Sequence, residues 1–273
     1  MQKRGIFLTT VHTLASGSSG NALLVSCGAA HLLVDAGISC RRITTGLAAL
    51  GLELSDISAL LITHTHSDHI AGLQTLLKKS RFPILSSGRV GRELAYRLAG
   101  VEPRFQEAEL CKQIKIDCLT VTAFPTSHDA PGSCGFRLDG PDGSAGILTD
   151  TGYVTQEAED ILPGVDLAVL EANHDVEALR SGPYPYYLKK RILGNQGHLC
   201  NDDAARFAVT LAEAGASEIV LAHLSKENNT PAMARNAVET ALCAAGLAPT
   251  LTVAPRDCLS EAYPVIRRTI CRK

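Results

Sequence analysis

Short apolar runs alternate along the whole chain with longer segments in which apolar residues recur at helical spacing. Each short run is rich in Val, Ile or Leu and ends in polar residues, a pattern typical of buried strands. The runs predict strands at residues 22–26, 32–35, 59–63, 119–124, 146–149, 167–171, 219–222 and 250–253. We interpret residues 1–8 as a further first strand, because Thr9, Thr10 and His12 interrupt the apolar run too early for a signal peptide.

Four segments predict helices, at residues 70–79, 90–99, 202–214 and 231–245. The last has the clearest ends, with Thr230 as N-cap, Pro231 in the first turn and Gly246 just beyond. Strands and helices that alternate in this way indicate an α/β protein. Because no Pro- or Ser-rich linker, low-complexity tract or internal repeat divides the sequence, we expect one domain over residues 1–273.

The composition is that of an ordinary globular protein. Apolar residues make up 45% and charged residues 20% of the chain, which argues against disorder. No stretch reaches the roughly 18 uninterrupted apolar residues of a membrane span, so no membrane partner is expected. The 26 basic and 28 acidic residues give a net charge of −2. Binding to nucleic acid would therefore need a local basic patch or bound metal ions.

The cysteines are poor candidates for a metal or disulfide framework. The nine stand at positions 27, 40, 111, 118, 134, 200, 243, 258 and 271. Since the count is odd and no Cys-x-x-Cys pair occurs, we interpret them as reduced packing residues. Reduced thiols suit the cytoplasm, which is the expected location.

The strongest chemical signal is the segment 64–69, which reads His-Thr-His-Ser-Asp-His directly after the predicted strand at 59–63. Three imidazoles and a carboxylate at a strand end are costly to bury unless they bind something. Imidazole nitrogen and carboxylate oxygen bind divalent zinc at about 2.0–2.2 Å. The first two histidines can face one ion, while Asp68 and His69 turn on the following helix to face a second.

This segment and the residues that follow it resemble the metallo-β-lactamase superfamily. In that family a strand-ending Asp, the His-x-His-x-Asp-His loop, a lone His, a lone Asp and a final His follow in order. The chain offers the same order in Asp35, the segment 64–69, His128, Asp150 and His223. The resemblance implies an α/β fold of the αββα type, a four-layer sandwich of two mixed β-sheets flanked by helices. It implies one ion on His64, His66 and His128, a second on Asp68, His69 and His223, and Asp150 between the two.

The resemblance also implies a hydrolase with two divalent ions, either zinc or manganese, with iron as a third option. Two ions about 3.5–4 Å apart lower the pKa of a shared water and neutralise charge on the attacked group. The implied nucleophile is a hydroxide that bridges the ions, with Asp68 or Asp150 helping to orient it. Asp35 would orient the histidine loop from behind. Asp150 stands where many zinc β-lactamases carry Cys, which argues against an antibiotic hydrolase.

Further segments are similar to the YycJ/WalJ-type branch of this superfamily, bacterial enzymes regarded as DNA exonucleases. These segments lie at 14–21, 171–175, 182–191, 197–201 and 225–229. The similarity covers residues 12 to 230 and departs at Cys200, where that branch is expected to carry Ser. It implies a phosphodiester hydrolase, with DNA favoured over RNA as the substrate.

The same segments supply candidate substrate contacts. His198 precedes a predicted helix, whose N-terminus favours phosphate, and a protonated imidazole could stabilise a phosphate oxygen or protonate the leaving oxygen. Tyrosines beside a basic stretch suit base stacking next to phosphate-binding cations, although a solvated basic helix face fits those residues equally well. The candidate contacts are His198, His174, Asn21, Tyr184, Lys189 and Arg191. We interpret His12 and His31 as structural, and His174 fits a structural role as well as a contact.

Other functions are compatible with the sequence. A thioesterase of the glyoxalase II type or a small cyclic phosphodiesterase would use the same metal site, since one fold serves many substrates. A metal-stabilised binding or regulatory protein would keep the ligands without the activity. DNA binding that weakens with salt separates the nuclease from these alternatives.

Overall fold

Two seven-stranded β-sheets pack face to face in the computed structural model, which describes residues 8–267. The first sheet contains β1 (Thr10–Ala15), β2 (Ala22–Cys27), β3 (Ala30–Val34), β4 (Ala59–Leu61), β5 (Ile84–Ser86), β6 (Phe105–Glu107) and β14 (Tyr263–Pro264). Its spatial order is β14-β1-β2-β3-β4-β5-β6. The strands from β3 to β6 run parallel, and the remaining neighbours are antiparallel. The first sheet is therefore mixed.

The second sheet is built in a similar way. It contains β7 (Gln113–Ile116), β8 (Leu119–Pro125), β9 (Cys134–Asp139), β10 (Ser144–Leu148), β11 (Leu167–Glu171), β12 (Glu218–Ala222) and β13 (Thr250–Val253). Strands β10 to β13 run parallel, and β7 to β10 are antiparallel neighbours. Val25 and Leu61 of the first sheet share one buried cluster with Phe136 and Val169 of the second. This cluster is the core between the sheets.

Helices cover the outer faces of both sheets. The described residues form α1 (Cys40–Ala49), α2 (Ser67–Ile70), α3 (Leu73–Lys79), α4 (Gly88–Arg97), α5 (Gln156–Ile161), α6 (Val176–Ser181), α7 (Tyr186–Ile192), α8 (Asn201–Glu213) and α9 (Pro231–Ala244). Residues of α1, α3 and α4 pack on the first sheet, and Ile43 of α1 shares one buried cluster with Leu33 and Leu60 of the sheet. Residues of α5, α8 and α9 pack on the second, as Phe207 does on Leu170. The layers follow the order αββα, which confirms the predicted fold class.

The eight strands predicted from residue 22 onward agree with the structure, and the helix predicted at 70–79 is present as α3, which begins only at Leu73. Ile70 ends α2 and Leu73 begins α3, because the Gly72 N–H leaves the helical hydrogen-bond pattern although its backbone torsions stay in the right-handed helical region. There the backbone N–H donates to Ala36 O at 2.8 Å, and a Cβ atom would lie 2.1 Å from Ile38 O. Close contact between two backbones therefore breaks the helix. Apart from Leu8, the strand expected at 1–8 lies outside the described residues, as does Cys271.

Two other expectations concern features that the described residues test in part. None of the helices within residues 8–267 is long and apolar enough to cross a membrane. The eight cysteines in that range are all free thiols, and Cys27, Cys40 and Cys134 are buried. These three pack as small apolar side chains, as the sequence predicts. The packing prediction is wrong for Cys111, Cys118, Cys243 and Cys258, which are exposed. The expectation of a single domain over residues 1–273 stays a prediction.

The C-terminal ends of several strands converge at one edge of the sandwich. Asp35 follows β3, His64 follows β4, Asp150 follows β10 and His223 follows β12. Three of these residues adopt left-handed backbone conformations, with φ of 61° at Asp35, 57° at Asp150 and 55° at His223. Such angles are uncommon outside glycine and persist where the surroundings hold them, often at functional sites. The strained strand ends mark this edge as the candidate site.

Candidate metal centre

Three histidines from two loops form one group of potential metal ligands. The chain leaves β4 extended through His64 and His66, and His66 is the N-cap residue of α2. His128 reaches the same point from the loop after β8. His66 Nδ1 lies 3.1 Å from His128 Nε2, and the His64 and His128 ring centroids are 5.0 Å apart. The three side chains offer nitrogen atoms that all lie within 4.8 Å of one another.

A second group lies beside the first. Asp68 and His69 stand on the single turn of α2, and His223 follows β12. Asp68 Oδ2 lies 3.4 Å from His223 Nε2 and 3.6 Å from His69 Nε2. These three residues are again close enough to share one ion. The resemblance implied the same group of three residues.

Asp150 lies between the two groups. Its Oδ2 is 3.2 Å from His69 Nε2, and its Oδ1 is 3.5 Å from His223 Nε2 and 3.8 Å from His128 Nε2. The carboxylate therefore contacts one histidine of the first group and two of the second. This is the arrangement that the resemblance implied for a shared ligand.

Unpaired polar atoms show that these residues fit a metal ion. Among the described residues, His64 Nε2 and Asp150 Oδ2 are buried and accept or donate no hydrogen bond. A buried polar atom without a partner costs about 1–3 kcal/mol, and such atoms are rare. A divalent cation would satisfy both atoms, and nitrogen and carboxylate oxygen are the donors that it takes. The five imidazoles and two carboxylates fit a divalent metal site.

The protonation of the cluster points the same way. Although burial raises the pKa of Asp150, attraction to His223, His69 and His64 holds it well below the usual range. Burial lowers the pKa of His64 well below that of a free histidine. Burial also opposes a charge on His69, but the carboxylates of Asp150 and Asp35 outweigh it and raise that pKa well above the usual value. The carboxylates thus draw positive charge to this point, which protons or a metal ion can supply.

Hydrogen bonds behind the histidines direct their Nε2 atoms inward. His69 Nδ1 donates to Asp35 Oδ2 at 2.7 Å, and Asp35 Oδ1 accepts from Thr63 N at 2.8 Å. His128 Nδ1 donates to Gly197 O at 2.9 Å. Such bonds fix the tautomer and the ring orientation of a metal-binding histidine. Asp35 therefore occupies the orienting position that the resemblance implied.

Glu171 is the functional residue that the sequence analysis did not single out. It is fully buried at the end of β11, and its Oε1 accepts from His198 Nδ1 at 2.8 Å and from His223 Nδ1 at 3.0 Å. Burial raises its pKa, but attraction and hydrogen bonds from these histidines prevail and lower it to about 2. A carboxylate at a strand end, as at Asp35 and Asp150, is the signal that could have identified it.

His198 lies at the solvent side of the cluster. Its ring is stacked on that of His223 with centroids 5.3 Å apart, and its side chain is 18% exposed. Asp150 Oδ1 lies 3.7 Å from its Nδ1. His198 lies just before α8, and Cys200 is the N-cap residue of that helix. The Cys200 thiol donates to Asp203 Oδ2 at 3.2 Å. His198 is thus brought to the place where a substrate would meet the metal ligands.

Two other candidate contacts are turned into the protein. The ring of His174 is 1% exposed, and burial lowers its pKa to about 4. Its two nitrogens make no hydrogen bond to the described residues. Asn21 is also buried; its amide binds the backbone of Gly17 through both the oxygen and the nitrogen, and Nδ2 lies 3.1 Å from His69 Nε2. Neither side chain offers a surface to substrate in this conformation.

The basic stretch forms α7, which agrees with the basic helix face that the sequence analysis gave as one alternative. Lys189 Nζ donates to Arg180 O at 2.7 Å, and Tyr184 is half-buried just before the helix. Arg191 Nη2 donates to Asp129 Oδ1 at 3.0 Å. That same oxygen lies 3.5 Å from His66 Nε2. Asp129 therefore holds Arg191 beside the seven candidate metal ligands, which are called the metal cluster below. Lys189 binds the preceding helix.

Comparison with known proteins identifies the family. Residues 31–224 match the β-lactamase superfamily domain. The chain is 35% identical to exodeoxyribonuclease YycJ of Bacillus anthracis over 230 residues, covering 84% of this chain and 87% of that protein. It is 38% identical to exodeoxyribonuclease WalJ of Streptococcus pneumoniae over 237 residues, covering 86% and 88%.

Solved structures share the same fold. The metallo-β-lactamase fold protein YhfI from Bacillus subtilis superimposes with a TM-score of 0.70 at 16% identity, covering 94% of this chain and 99% of that one. Zinc-bound PqqB from Methylobacterium extorquens gives a TM-score of 0.66 at 18% identity, covering 92% and 99%. The chain therefore belongs to the metallo-β-lactamase superfamily, in the branch that contains the YycJ and WalJ exodeoxyribonucleases.

Proposed function

We propose that this protein is a metal-dependent exonuclease that hydrolyses the phosphodiester bonds of DNA. The observation that carries the proposal is the placement of His198, bound to Glu171 at 2.8 Å, on the solvent side of the buried histidine and aspartate cluster. The relatives named exodeoxyribonuclease, which are 35–38% identical over most of the chain, support this choice of substrate. The same residues would also serve to hydrolyse a smaller phosphodiester, because none of them is specific to DNA. The choice of substrate therefore needs a direct assay.

We assign two divalent ions to the cluster, with zinc or manganese preferred and iron as the third option. His64, His66 and His128 would hold one, Asp68, His69 and His223 the other, and Asp150 would bind both. Such ions acidify a bound water and neutralise charge on the attacked phosphate. The support for two sites is that each group of three side chains can converge on one point, with Asp150 in contact with both groups.

His198 and Glu171 would manage the proton. Because Glu171 stays ionised, its carboxylate accepts the hydrogen bond from His198 and fixes Nδ1 as the nitrogen that donates to it. The proton on Nε2 is then available to the leaving oxygen of the cleaved bond, a general acid role for which histidine is well suited. Asp68, which is partly exposed beside His223, would orient the attacking water together with Asp150.

The remaining candidate contacts take different parts in the proposal. Arg191 is half-exposed at the edge of the cluster and would bind phosphate, with Tyr184 and Lys189 further along the chain. Asn21 and His174, which are buried, would support the loops that carry His69 and His198.

We infer that the protein works in a reducing compartment such as the cytoplasm, which its free thiols support.

The test is degradation of end-labelled DNA by the purified full-length chain. Single-stranded and duplex oligonucleotides, and RNA of the same sequence, are incubated with Mn²⁺, Zn²⁺ or Mg²⁺ after removal of bound metal. We expect mononucleotides to be released from DNA with at least one of the metals, and not by Asp150→Asn. Thioester and cyclic nucleotide substrates are assayed alongside. Turnover of these alone, without any cleavage of DNA, would overturn the proposal.

A further inference from the structure

A groove opens beside the metal cluster, between the loops after β8 and β10 and the C-terminal end of α7. Its volume is about 710 Å³, which lies within the roughly 300–1,000 Å³ of typical ligand sites. Most of the residues that line it are exposed, so the groove is open along its length. They are Ser127, Asp129, Tyr153, Lys190, Arg191 and the residues 194–196.

One wall of the groove is in contact with the candidate metal ligands. Asp129 Oδ1 lies 3.5 Å from His66 Nε2 and 3.6 Å from His128 Nε2. The same carboxylate binds Arg191 through both of its oxygens. A strand whose scissile phosphate lies at the cluster would therefore continue directly into this groove.

Hydrogen bonds between the three loops hold the groove in shape. Gly152 N donates to Ser127 O at 2.8 Å, Ser127 Oγ donates to Asn195 O at 2.7 Å, and Asp129 N donates to Gln196 O at 3.1 Å. The loops are so close that a Cβ atom on Gly152 would lie 2.2 Å from Asn195 O. Because these contacts tie all three loops to one another, little ordering of the groove is left to be done when a ligand binds.

The side chains of the groove match the chemistry of a single nucleic acid strand. Tyr153 is 47% exposed, so much of its ring is available for stacking. Lys190 is exposed, and the Arg191 side chain is 50% exposed. A guanidinium has five donors, and Asp129 takes hydrogen bonds from only Nε and Nη2. Two cations against one carboxylate favour phosphate, and an exposed aromatic ring beside them favours an unpaired base.

We propose that this groove binds the nucleotide next to the scissile phosphate, with its base stacked on Tyr153 and its phosphate held by Lys190 and Arg191. The inference rests on the proposed nuclease function and goes beyond it, because it makes Tyr153 a residue that selects an unpaired strand. Asp129 is a positioning residue, which holds Arg191 against the metal cluster. A paired base cannot lie flat on the ring, so the enzyme would act on single-stranded or frayed ends.

The experiment compares the full-length Tyr153→Ala and Tyr153→Phe variants with wild type. Phe keeps the aromatic face, and Tyr96→Ala on α4 is the matched control, because Tyr96 is 93% exposed and does not line the groove. Steady-state kinetics on single-stranded DNA should show KM raised about tenfold or more by Tyr153→Ala, the effect expected for loss of one stacked base. The kcat of Tyr153→Ala should stay near wild type. For Tyr153→Phe and Tyr96→Ala, both kcat and KM should stay near wild type.

A second measurement locates the stacked base. The fluorescence anisotropy of phosphorothioate-linked oligodeoxynucleotides reports binding without turnover, and an abasic unit is moved along the strand. In wild type, an abasic unit at one position near the end of the strand should weaken binding. In Tyr153→Ala, the oligonucleotides with and without that abasic unit should bind equally well. Lys190→Gln should lower the slope of log Kd against log salt by about 0.7, the value for one contact with a single strand.

The outcomes separate this inference from the proposed function. If wild type degrades DNA but Tyr153→Ala keeps the wild-type KM and the wild-type response to the abasic unit, the groove assignment is overturned and the nuclease function stands. If wild type neither binds nor cleaves DNA while Asp150→Asn removes another hydrolytic activity, the nuclease function fails and the groove assignment fails with it.

Discussion

The carboxylate of Glu171 accepts a hydrogen bond from Nδ1 of His198 at 2.8 Å while the ring of His198 stays at the solvent side of the metal cluster. The same oxygen accepts from Nδ1 of His223 at 3.0 Å, and the other oxygen accepts from Thr151 N at 2.9 Å. One buried carboxylate thus orients a candidate metal ligand and a candidate proton donor. Changes at Glu171 should affect both metal binding and catalysis, whereas changes at His198 should affect catalysis alone.

Replacing His198 by Ala should lower kcat on DNA about 10²- to 10⁴-fold, the usual contribution of a general acid. Metal content should not change. Although His198 lies close enough to Asp150, Glu171 and His223 to share an ion with them, its Nδ1 is taken up by the hydrogen bond to Glu171. Glu171→Gln should lower kcat as well and also weaken metal binding about 10- to 100-fold, the usual effect of a lost partner behind a ligand. The measurements are single-turnover cleavage and metal content by mass spectrometry. Equal loss of metal in both variants would contradict this division of roles.

Removal of metal should destabilise the fold. Without cations, the carboxylates of Asp68 and Asp150 and the unpaired Nε2 of His64 remain buried or partly buried at one point. A site filled at 100 times its Kd stabilises a protein by about 2.7 kcal/mol. We expect chelation to lower the melting temperature, and Zn²⁺ or Mn²⁺ to restore it.

His66→Ala serves as the specific variant in this experiment. It should bind about one ion fewer per chain than wild type and show a smaller shift on chelation, because only the group with His64 and His128 is incomplete. His31→Ala is the control, since His31 contacts Ser26 at 2.9 Å in the first sheet and belongs to neither group. A full complement of metal in His66→Ala would refute the assignment of this ligand.

The sequence predicts the ligands of the candidate site better than the residues that surround them. His64, His66, Asp68 and His69 form a dense local pattern, and His128, Asp150 and His223 each follow a strongly apolar strand. The parallel strands then bring these ends to one edge of the sandwich. The dense segment 64–69 stands out by itself, whereas His128, Asp150 and His223 are singled out only because their order along the chain matches that of the metallo-β-lactamase superfamily.

Residues that act through tertiary contacts are not visible in that pattern. Glu171 ends an apolar strand, which makes it a candidate like Asp35 and Asp150, but only the fold shows that it lies between His198 and His223. Asp129 is the neighbour of a ligand, but its pairing with Arg191 joins residues 62 positions apart. The helix predicted at 70–79 begins only at Leu73 for the same reason, because the contact between Gly72 and Ile38 O is not local.

His174 should make the stability of the protein depend on pH. Burial lowers its pKa to about 4, whereas in the unfolded chain it is near 6.5. Below pH 6.5 the unfolded state therefore takes up a proton that the folded state takes up only near pH 4. The stabilisation is fully present above pH 6.5 and is lost as the pH falls, by up to about 3 kcal/mol at pH 4.

Unfolding of metal-free His174→Gln by urea at several pH values checks this expectation. Between pH 7.5 and pH 4 the free energy of unfolding should fall less in this variant than in wild type. The comparison removes the contributions of other titrating groups, which both proteins share. Tyr96→Phe, at an exposed position, should follow wild type. Parallel curves for His174→Gln and wild type would show that the ring does not titrate in this range.

Gly37→Ala should disturb the metal cluster although Gly37 is not itself a metal ligand. A Cβ atom there would lie 1.6 Å from Asp68 O and 2.8 Å from Asn21 N, and both are backbone atoms that cannot turn away. The turn of α2 that carries Asp68 and His69 would have to move. Overpacking of this kind costs about 1–3 kcal/mol, and we expect weaker metal binding together with the loss of stability.

Gly246→Ala is the control for Gly37→Ala. It introduces backbone strain without steric overlap between the new Cβ atom and its neighbours. Gly246 has φ of 70°, so alanine is strained there, but nothing lies within 4 Å of its Cβ position, just after α9. It should lose about 1 kcal/mol of stability, as expected for a residue forced into this conformation, and keep its metal affinity. Chemical unfolding and metal titration of the two variants make the comparison. Since Gly37 has no such left-handed φ, weaker metal binding in Gly37→Ala alone would trace the effect to the displaced Asp68 backbone.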